Sequence, residues 1–234
     1  MNNLANYCSI ACTPVRSEMT DKSEMVTQLL YGETVQILEV YDNWLFIETF
    51  DNYKGWIDAR IVKQRIHDED QKCFVNQIWA EVVSERDRIM VPYGSELQAD
   101  KDEFSIHDFC FGKRNQVNQI LNDLLIFKNT PYLWGGKSSF GIDCSGLVQI
   151  VAKVNGYTLP RDAWQQAEIG KKIDFMDRKA GDICFFSNIS GKITHVGVLI
   201  SVDEIIHASG WVRQDAFDQK GIFDGERQVY SHTL

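Results

Sequence analysis

One stretch restricts the fold more than any other: Pro131-Tyr132-Leu133-Trp134-Gly135-Gly136, running on through Gly141-Ile142-Asp143-Cys144-Ser145-Gly146. Its glycines read as a tight loop. Apolar residues then recur at Leu147, Val148, Ile150, Val151 and Val154 with helical spacing, and Gly156 follows as a stop. The loop therefore delivers Cys144 to the first turn of an amphipathic helix, with Asp143 standing where an N-cap belongs. At such a position the unpaired N–H groups and the positive end of the helix dipole favour a thiolate, which is the nucleophilic form.

A cysteine so presented needs a base. Thr194-His195-Val196-Gly197-Val198-Leu199-Ile200 is a β-branched run that reads as a strand, and Glu204-Ile205-Ile206-His207-Ala208 reads as the next. A short turn near Ser201 and Val202 sets His195 and His207 close to directly opposite each other, on one sheet face. One ring can then take the thiol proton while the other fixes its tautomer.

Five blocks now stand in order: Tyr132-Leu133-Trp134-Gly135-Gly136, Asp143-Cys144-Ser145-Gly146, Leu159-Pro160-Arg161-Asp162, Ala180-Gly181-Asp182-Ile183 and Thr194-His195-Val196-Gly197. In order and spacing they resemble the NlpC-type papain-like cysteine peptidases of bacteria. Within that family the chain looks most like the γ-D-glutamyl-diamino-acid endopeptidases that carry bacterial SH3-like domains ahead of the catalytic domain. The resemblance implies an α+β catalytic domain, with the cysteine helix against an antiparallel sheet. It implies Cys144 as nucleophile, His195 as base, His207 as orienting partner and the Tyr132 hydroxyl as an oxyanion donor beside the Cys144 N–H. It also points to Asp162 in the substrate groove, with Arg161, Asp143 and Ser145 as further substrate-binding candidates. On a looser match, Glu24 and Tyr53 of the first barrel join them to receive a free L-Ala amine. The implied reaction is hydrolysis of the amide between γ-D-glutamate and a diamino acid, meso-diaminopimelate or lysine, in peptidoglycan stem peptides. Short fragments with free amino ends, as in wall recycling, are the expected substrates, with no metal or cofactor. A non-catalytic wall-binding protein, or a Cys/His amidase or acyltransferase acting on another amide, are the competing classes.

The remaining chain supplies the domain plan. Residues 1–64 alternate apolar and polar in short runs (Leu29 to Tyr31, Thr34 to Val40, Trp44 to Thr49, Gly55 to Ile57) broken by turn residues, the pattern of a small β-barrel. Tyr31-Gly32-Glu33-Thr34-Val35 and Gly55-Trp56-Ile57 resemble bacterial SH3-like domains. Residues 65–112 are also β-like, in Phe74 to Val83, Arg88 to Val91 and Phe104 to Phe111, and are expected to form a second, degenerate barrel or a β-rich linker. A composition change at Gly112-Lys113-Arg114 opens residues 113–234, where Val117, Ile120, Leu121, Leu124 and Leu125 predict a helix.

A net charge of −9 over 234 residues leaves no basic stripe to neutralise phosphates or an anionic surface, which argues against nucleic-acid and membrane partners. The amino terminus lacks a basic n-region and an apolar core, and no run approaches the roughly 18 apolar residues of a membrane span. The expectation is a cytoplasmic monomer, or a periplasmic or secreted one if this is a mature form. Cys8, Cys12, Cys73, Cys110, Cys144 and Cys184 show no paired spacing and are expected to be reduced. His67, His107 and His232 lie outside the matched blocks and read as surface or capping residues, and Trp44, Trp56, Trp164 and Trp211 as packing residues.

Overall fold

A computed structural model of the chain describes residues 3–83, 88–98, 103–104, 109–110 and 116–234. The expected strand at Phe104 to Phe111 lies partly outside these residues, and the Gly112 to Arg114 boundary and His107 lie wholly outside them.

Seven strands form the first sheet: β1 (Asn3–Cys8), β2 (Cys12–Arg16), β3 (Met25–Leu30), β4 (Thr34–Tyr41), β5 (Trp44–Glu48), β6 (Lys54–Asp58) and β7 (Val62–His67), in the order β3-β2-β6-β5-β4-β1-β7. The period-2 pattern drives it. Val15 on β2, Leu45 and Ile47 on β5 and Ile57 on β6 point inward to Cys8, Leu29 and Val35, while their neighbours face out. The runs at Asn3–Cys8, Cys12–Arg16 and Val62–His67 were not legible as strands, being more polar than the four that were.

Strands β8 (Lys72–Val75), β9 (Trp79–Val83), β10 (Arg88–Pro92), β11 (Glu96–Gln98), β12 (Glu103–Phe104) and β13 (Phe109–Cys110) pair as two three-stranded sheets, β10-β9-β12 and β11-β8-β13. The expected single strand from Phe74 to Val83 is thus two, divided between sheets. Cys73, Val75, Ala80, Val82, Val91 and Leu97 give this unit its own small core, to which the first barrel contributes Tyr31. Gly32, at φ +78°, permits that approach: a Cβ there would sit 1.7 Å from the Glu96 carbonyl oxygen.

The last unit opens with α1 (Val117–Ile126), followed by the short pair β14 (Lys137–Ser138) and β15 (Gly141–Ile142). Then come α2 (Cys144–Val154), α3 (Ala163–Ile169) and six antiparallel strands in sequence order: β16 (Ile183–Ser187), β17 (Ile193–Leu199), β18 (Glu204–Ser209), β19 (Trp211–Asp218), β20 (Gly221–Asp224) and β21 (Val229–Thr233). The α+β expectation holds, with α2 packed on β17 and β18. α2 is buried on nearly every side, and Leu147, Val148, Ile150, Val151 and Val154 meet Val196, Val198, Ile206, Ala208 and Val212 of the sheet. Each such leucine, isoleucine or valine contributes roughly 1.5–3 kcal/mol by leaving water. The opposite sheet face carries Phe186, Leu199, Ile205, Phe217 and Ile222.

The three units share buried polar contacts. Glu33 of the first barrel accepts from Lys137 (3.0 Å) and Lys153 (2.7 Å), and Lys153 also reaches Glu96 of the middle unit (2.8 Å). Strand β3 runs beside the glycine-rich loop, where Gln28 Oε1 accepts from the Lys137 amide at 2.9 Å. Cys8, Cys12, Cys144 and Cys184 are free thiols.

Candidate active site

Asp143 ends the loop in extended backbone and caps α2, its Oδ1 accepting from the Gly146 amide at 2.7 Å, as an N-cap aspartate should. Its other oxygen accepts from the Gly135 amide at 2.9 Å, tying the glycine loop to the helix start. Arg161 clamps both oxygens, Nη1 to Oδ1 at 3.0 Å and Nη2 to Oδ2 at 2.6 Å. The same guanidinium donates to Ser145 Oγ (2.9 Å) and, through Nε, to Thr27 Oγ1 of the first barrel (2.9 Å). Arg161 is 2% exposed, so its donors are all engaged within the protein. It is a buried, bidentate clamp on the cap of the cysteine helix, not a solvated loop cation.

Cys144 is buried at the first turn of α2, where the backbone N–H groups of Val196 and Ser145 hydrogen-bond its sulfur. Val196 follows His195 in the chain, so one strand both presents the imidazole and touches the thiol. The expected depression of the thiol pKa is not what this setting produces. Burial, then the Asp143 charge, outweigh the amides and push Cys144 up to about 11. Burial, then His232 and His207, drive His195 down to about 2. Thiol and imidazole are therefore both neutral at rest.

His195 and His207 share one sheet face and are hydrogen-bonded, Nε2 to Nδ1 at 2.8 Å. They are not directly opposed, as the sequence suggested. His207 pairs with Gly197, two residues beyond His195, because the β17–β18 turn is centred on Val202, with Leu199 opposite Ile205. The rings meet on the diagonal, and the missing side chain at Gly197 leaves room for this. The line continues: His207 Nε2 meets Asp215 Oδ2 at 2.9 Å, and Arg213 holds that carboxylate by Nε to Oδ2 and Nη2 to Oδ1, both at 2.8 Å. Asp224 backs Arg213 at 3.2 Å. Asp215 and its partners escaped the sequence reading. The usable signal was Arg213 and Asp215 at alternate positions of a strand, pointing to the same face.

His232 is no surface residue. It lies on β21, half-buried, with its ring stacked on His195 at 3.9 Å between centroids and 19° between planes. Its distance along the chain from the matched blocks concealed it. Among the described residues, His195, His207 and His232 are the one trio whose ligand atoms approach closely enough (4.8 Å) to surround a metal ion. Yet ring lone pairs lie in the ring plane. Two nearly parallel stacked rings do not converge on one ion, and one His195 nitrogen is already bonded to His207. A metal there would have to dismantle the line.

Tyr132 is half-buried against the core cluster that contains Cys144, and its amide donates to the Gly210 carbonyl at 2.9 Å. Burial, then the Cys144 and Asp143 charges, raise its pKa, so the phenol keeps its proton and remains a donor. The barrel candidates meet this domain at two points. Tyr53 Oη reaches Asp162 Oδ1 at 3.5 Å, and Glu24 Oε1 accepts from the Trp134 indole at 2.6 Å. Asp162 also caps α3 in a capping box with Gln165. Burial raises its pKa. Trp164 is 44% exposed and hydrogen-bonds Asp162, which makes it more than the packing residue expected.

Residues 129–225 match the model of the NlpC/P60 family, and residues 15–60 match that of the bacterial dipeptidyl-peptidase SH3 domain. A γ-D-glutamyl-L-lysine dipeptidyl-peptidase of Bacillus subtilis is 42% identical over 98 residues, 41% of this chain and 33% of that protein. The chain thus spans about a third of that relative's length. A protein of the same name from Bacillus cereus is 23% identical over 233 residues, 81% of this chain and 69% of its own. The crystal structure of an NlpC/P60 family protein from Bacillus cereus covers 98% of both chains with a TM-score of 0.77 at 18% identity, a likeness of fold. The chain carries an NlpC/P60 domain behind a bacterial dipeptidyl-peptidase SH3 domain.

Proposed function

We propose that the chain hydrolyses the amide between γ-D-glutamate and a diamino acid, lysine or meso-diaminopimelate, in short peptidoglycan stem peptides with a free L-Ala amino end. The observation that carries this reading is the line from His195 through His207 to Asp215, beginning one residue from the amide that touches the Cys144 sulfur. A lone buried thiol needs no such partner.

In the mechanism, the Cys144 proton passes to His195 as the sulfur attacks the γ-carbonyl, so that the starting thiol need not be ionised. The Cys144 N–H, at a helix start, and the Tyr132 hydroxyl donate to the oxyanion. As the C–N bond breaks, His195 gives its proton to the leaving amine, and the diamino acid departs. Water then attacks the thioester, its proton passing to His195 and on to the sulfur. Asp143, Ser145 and Arg161 hold the start of α2 in register with the loop, and Asp143 and Ser145 also border the acyl site through their backbone. Asp162 and Tyr53, with Glu24 once the Trp134 indole releases it, receive the ammonium of L-Ala. Barrel residues in that role would restrict substrates to short fragments, as recycling of turned-over wall peptides requires.

The test is a mass-spectrometric digest of L-Ala-γ-D-Glu-L-Lys and its diaminopimelate counterpart, each with free and acetylated L-Ala. Release of the diamino acid is expected, lost in Cys144→Ala and reduced on the order of 10²-fold by acetylation, the worth of a charge-assisted hydrogen bond. Intact peptides with the unmutated protein would leave a wall-binding role. Turnover by Cys144→Ala would remove the nucleophile.

A further inference from the structure

The polar line behind His195 fixes more than a ring orientation. Asp215 is held at both oxygens by Arg213 at 2.8 Å, and Asp224 stands behind Arg213 at 3.2 Å. An ionised carboxylate so clamped can only accept. Arg213 lowers the Asp215 pKa further, after the His207 contact has begun to do so against burial. The 2.9 Å contact to His207 Nε2 is a hydrogen bond only if that nitrogen carries a proton. With one proton on the ring, His207 Nδ1 is then bare and accepts. The 2.8 Å contact to His195 Nε2 in turn requires the His195 proton on Nε2. One atom is left: His195 Nδ1, unprotonated and not engaged by His207. The opposite tautomer of His207 would donate to His195 Nε2 and force the His195 proton onto Nδ1, where no thiol proton could be received.

We propose that Asp215 is a positioning residue that, relayed through His207, decides which nitrogen of His195 is free to take the Cys144 proton. Strand register puts it within reach. Arg213 lies directly opposite His207 and Asp215 opposite Ile205, so Asp215 sits on the diagonal from His207 on the shared face. The arrangement repeats, one strand further on, the diagonal by which His207 meets His195. Arg213 and Asp224 act one step further back, holding Asp215 ionised and in place.

This deepens the peptidase reading and rests on it only for its kinetic arm. In a serine triad, loss of the carboxylate next to the base costs on the order of 10⁴ in kcat through the wrong tautomer. Here the carboxylate is one ring further away, and Asp215→Ala should lower kcat on the order of 10²-fold with KM unchanged within about threefold. Asp215→Asn keeps an acceptor that can face both His207 and Arg213, so it should fall between Asp215→Ala and the unmutated enzyme. The second arm is substrate-free: long-range ¹H–¹⁵N correlation spectra of the unmutated protein should show His195 and His207 both protonated at Nε2, and the Asp215→Ala spectrum should show mixed tautomers. A His195 proton on Nδ1 in the unmutated protein overturns the proposal even if the variants do not fold, as does an Asp215→Ala enzyme within about threefold of full turnover. The expected tautomers in a protein that cleaves no stem peptide would preserve the relay and sink the peptidase reading. An active peptidase with the opposite tautomers would do the reverse.

Discussion

Helix α2 ends in a buried polar network at each terminus, and the two are built on different principles. At its last turn Lys153 joins Glu33, Lys137 and Glu96, with the Leu30 amide (2.9 Å) also donating to Glu33 and the Gly94 carbonyl (3.4 Å) accepting from Lys153. Two carboxylates meet two ammonium groups across all three units, and the network is closed in that every charge in it is paired with its opposite. Behind the strand whose Val196 amide reaches the Cys144 sulfur at the first turn, about 14 Å away along the axis, the network is a line. It runs Asp224, Arg213, Asp215, His207, His195 and stops at a ring nitrogen that nothing in the line engages. A closed network holds architecture. An open one presents an atom to something that arrives.

The contrast is broken most sharply from the closed side. Glu33 is 1% exposed and Lys137 is 2% exposed in its side chain, so Glu33→Gln strands one buried ammonium and half of another's pairing. Removing one partner of a buried pair costs about 3–5 kcal/mol. The variant should lose that much stability by urea unfolding and yet, where it remains folded, keep its kcat. A kcat loss exceeding the stability loss would mean that the clamp feeds the chemistry. The acid response carries the same sign. Burial alone would raise the Glu33 carboxyl, but Lys137 and Lys153 overcome it and hold it at about 2 against an ordinary 4.5. A depressed carboxyl stabilises fully above the unfolded-state value and loses that contribution as pH falls from 4.5 toward 2. The urea midpoint of the unmutated protein should drop across that window, and that of Glu33→Gln should drop less.

From the open side, the resting protonation state is the sharper probe. With Cys144 at about 11 and His195 at about 2, no thiolate–imidazolium pair stands ready before substrate arrives. Alkylation of Cys144 by iodoacetamide should climb about tenfold per pH unit from roughly pH 6 to 9, following the thiolate fraction. Cys144→Ala supplies the blank, and burial raises Cys8, Cys12 and Cys184 as well, so they compete little. A plateau already reached at acid pH would show a preformed ion pair, and the two networks would then differ less than their geometry suggests.

The two networks were unequally legible in the sequence. Cys144, its helix and the two histidines stood out because glycine punctuation, helical spacing and a β-branched run are local signals, readable within a dozen residues. Strands β19 to β21 lacked that clarity: Arg213, Asp215 and His232 look like surface residues until the sheet curls and brings them behind His195. Glu33, Lys137, Lys153 and Arg161 were invisible as buried groups for the opposite reason. Charged residues in turns and at helix ends are ordinarily solvated, and only the packing of three units against one another closes water out. The depressed thiol pKa expected from helix position failed on the same account, since burial is a property of the assembled site.

The misread hairpin register leads to the smallest effect and the most local one. Gly197 faces His207 directly, and a Cβ built there would lie 3.0 Å from His207 Cβ and 2.8 Å from Ile205 Cδ1. The isoleucine end can turn aside, but a β-carbon moves only with its strand. Gly197→Ala should therefore cost about 1–3 kcal/mol by overpacking and push His207 off the diagonal on which it meets both His195 and Asp215. Activity should fall on the order of tenfold beyond what the lost stability explains, with the His195 and His207 tautomers mixed as in Asp215→Ala, while the Glu33 clamp at the other end of α2 and its acid response stay unchanged. Had the rings been directly opposed, with no diagonal to protect, alanine at Gly197 would alter stability alone. Separate readouts of unfolding and turnover on this one variant thus distinguish the two registers.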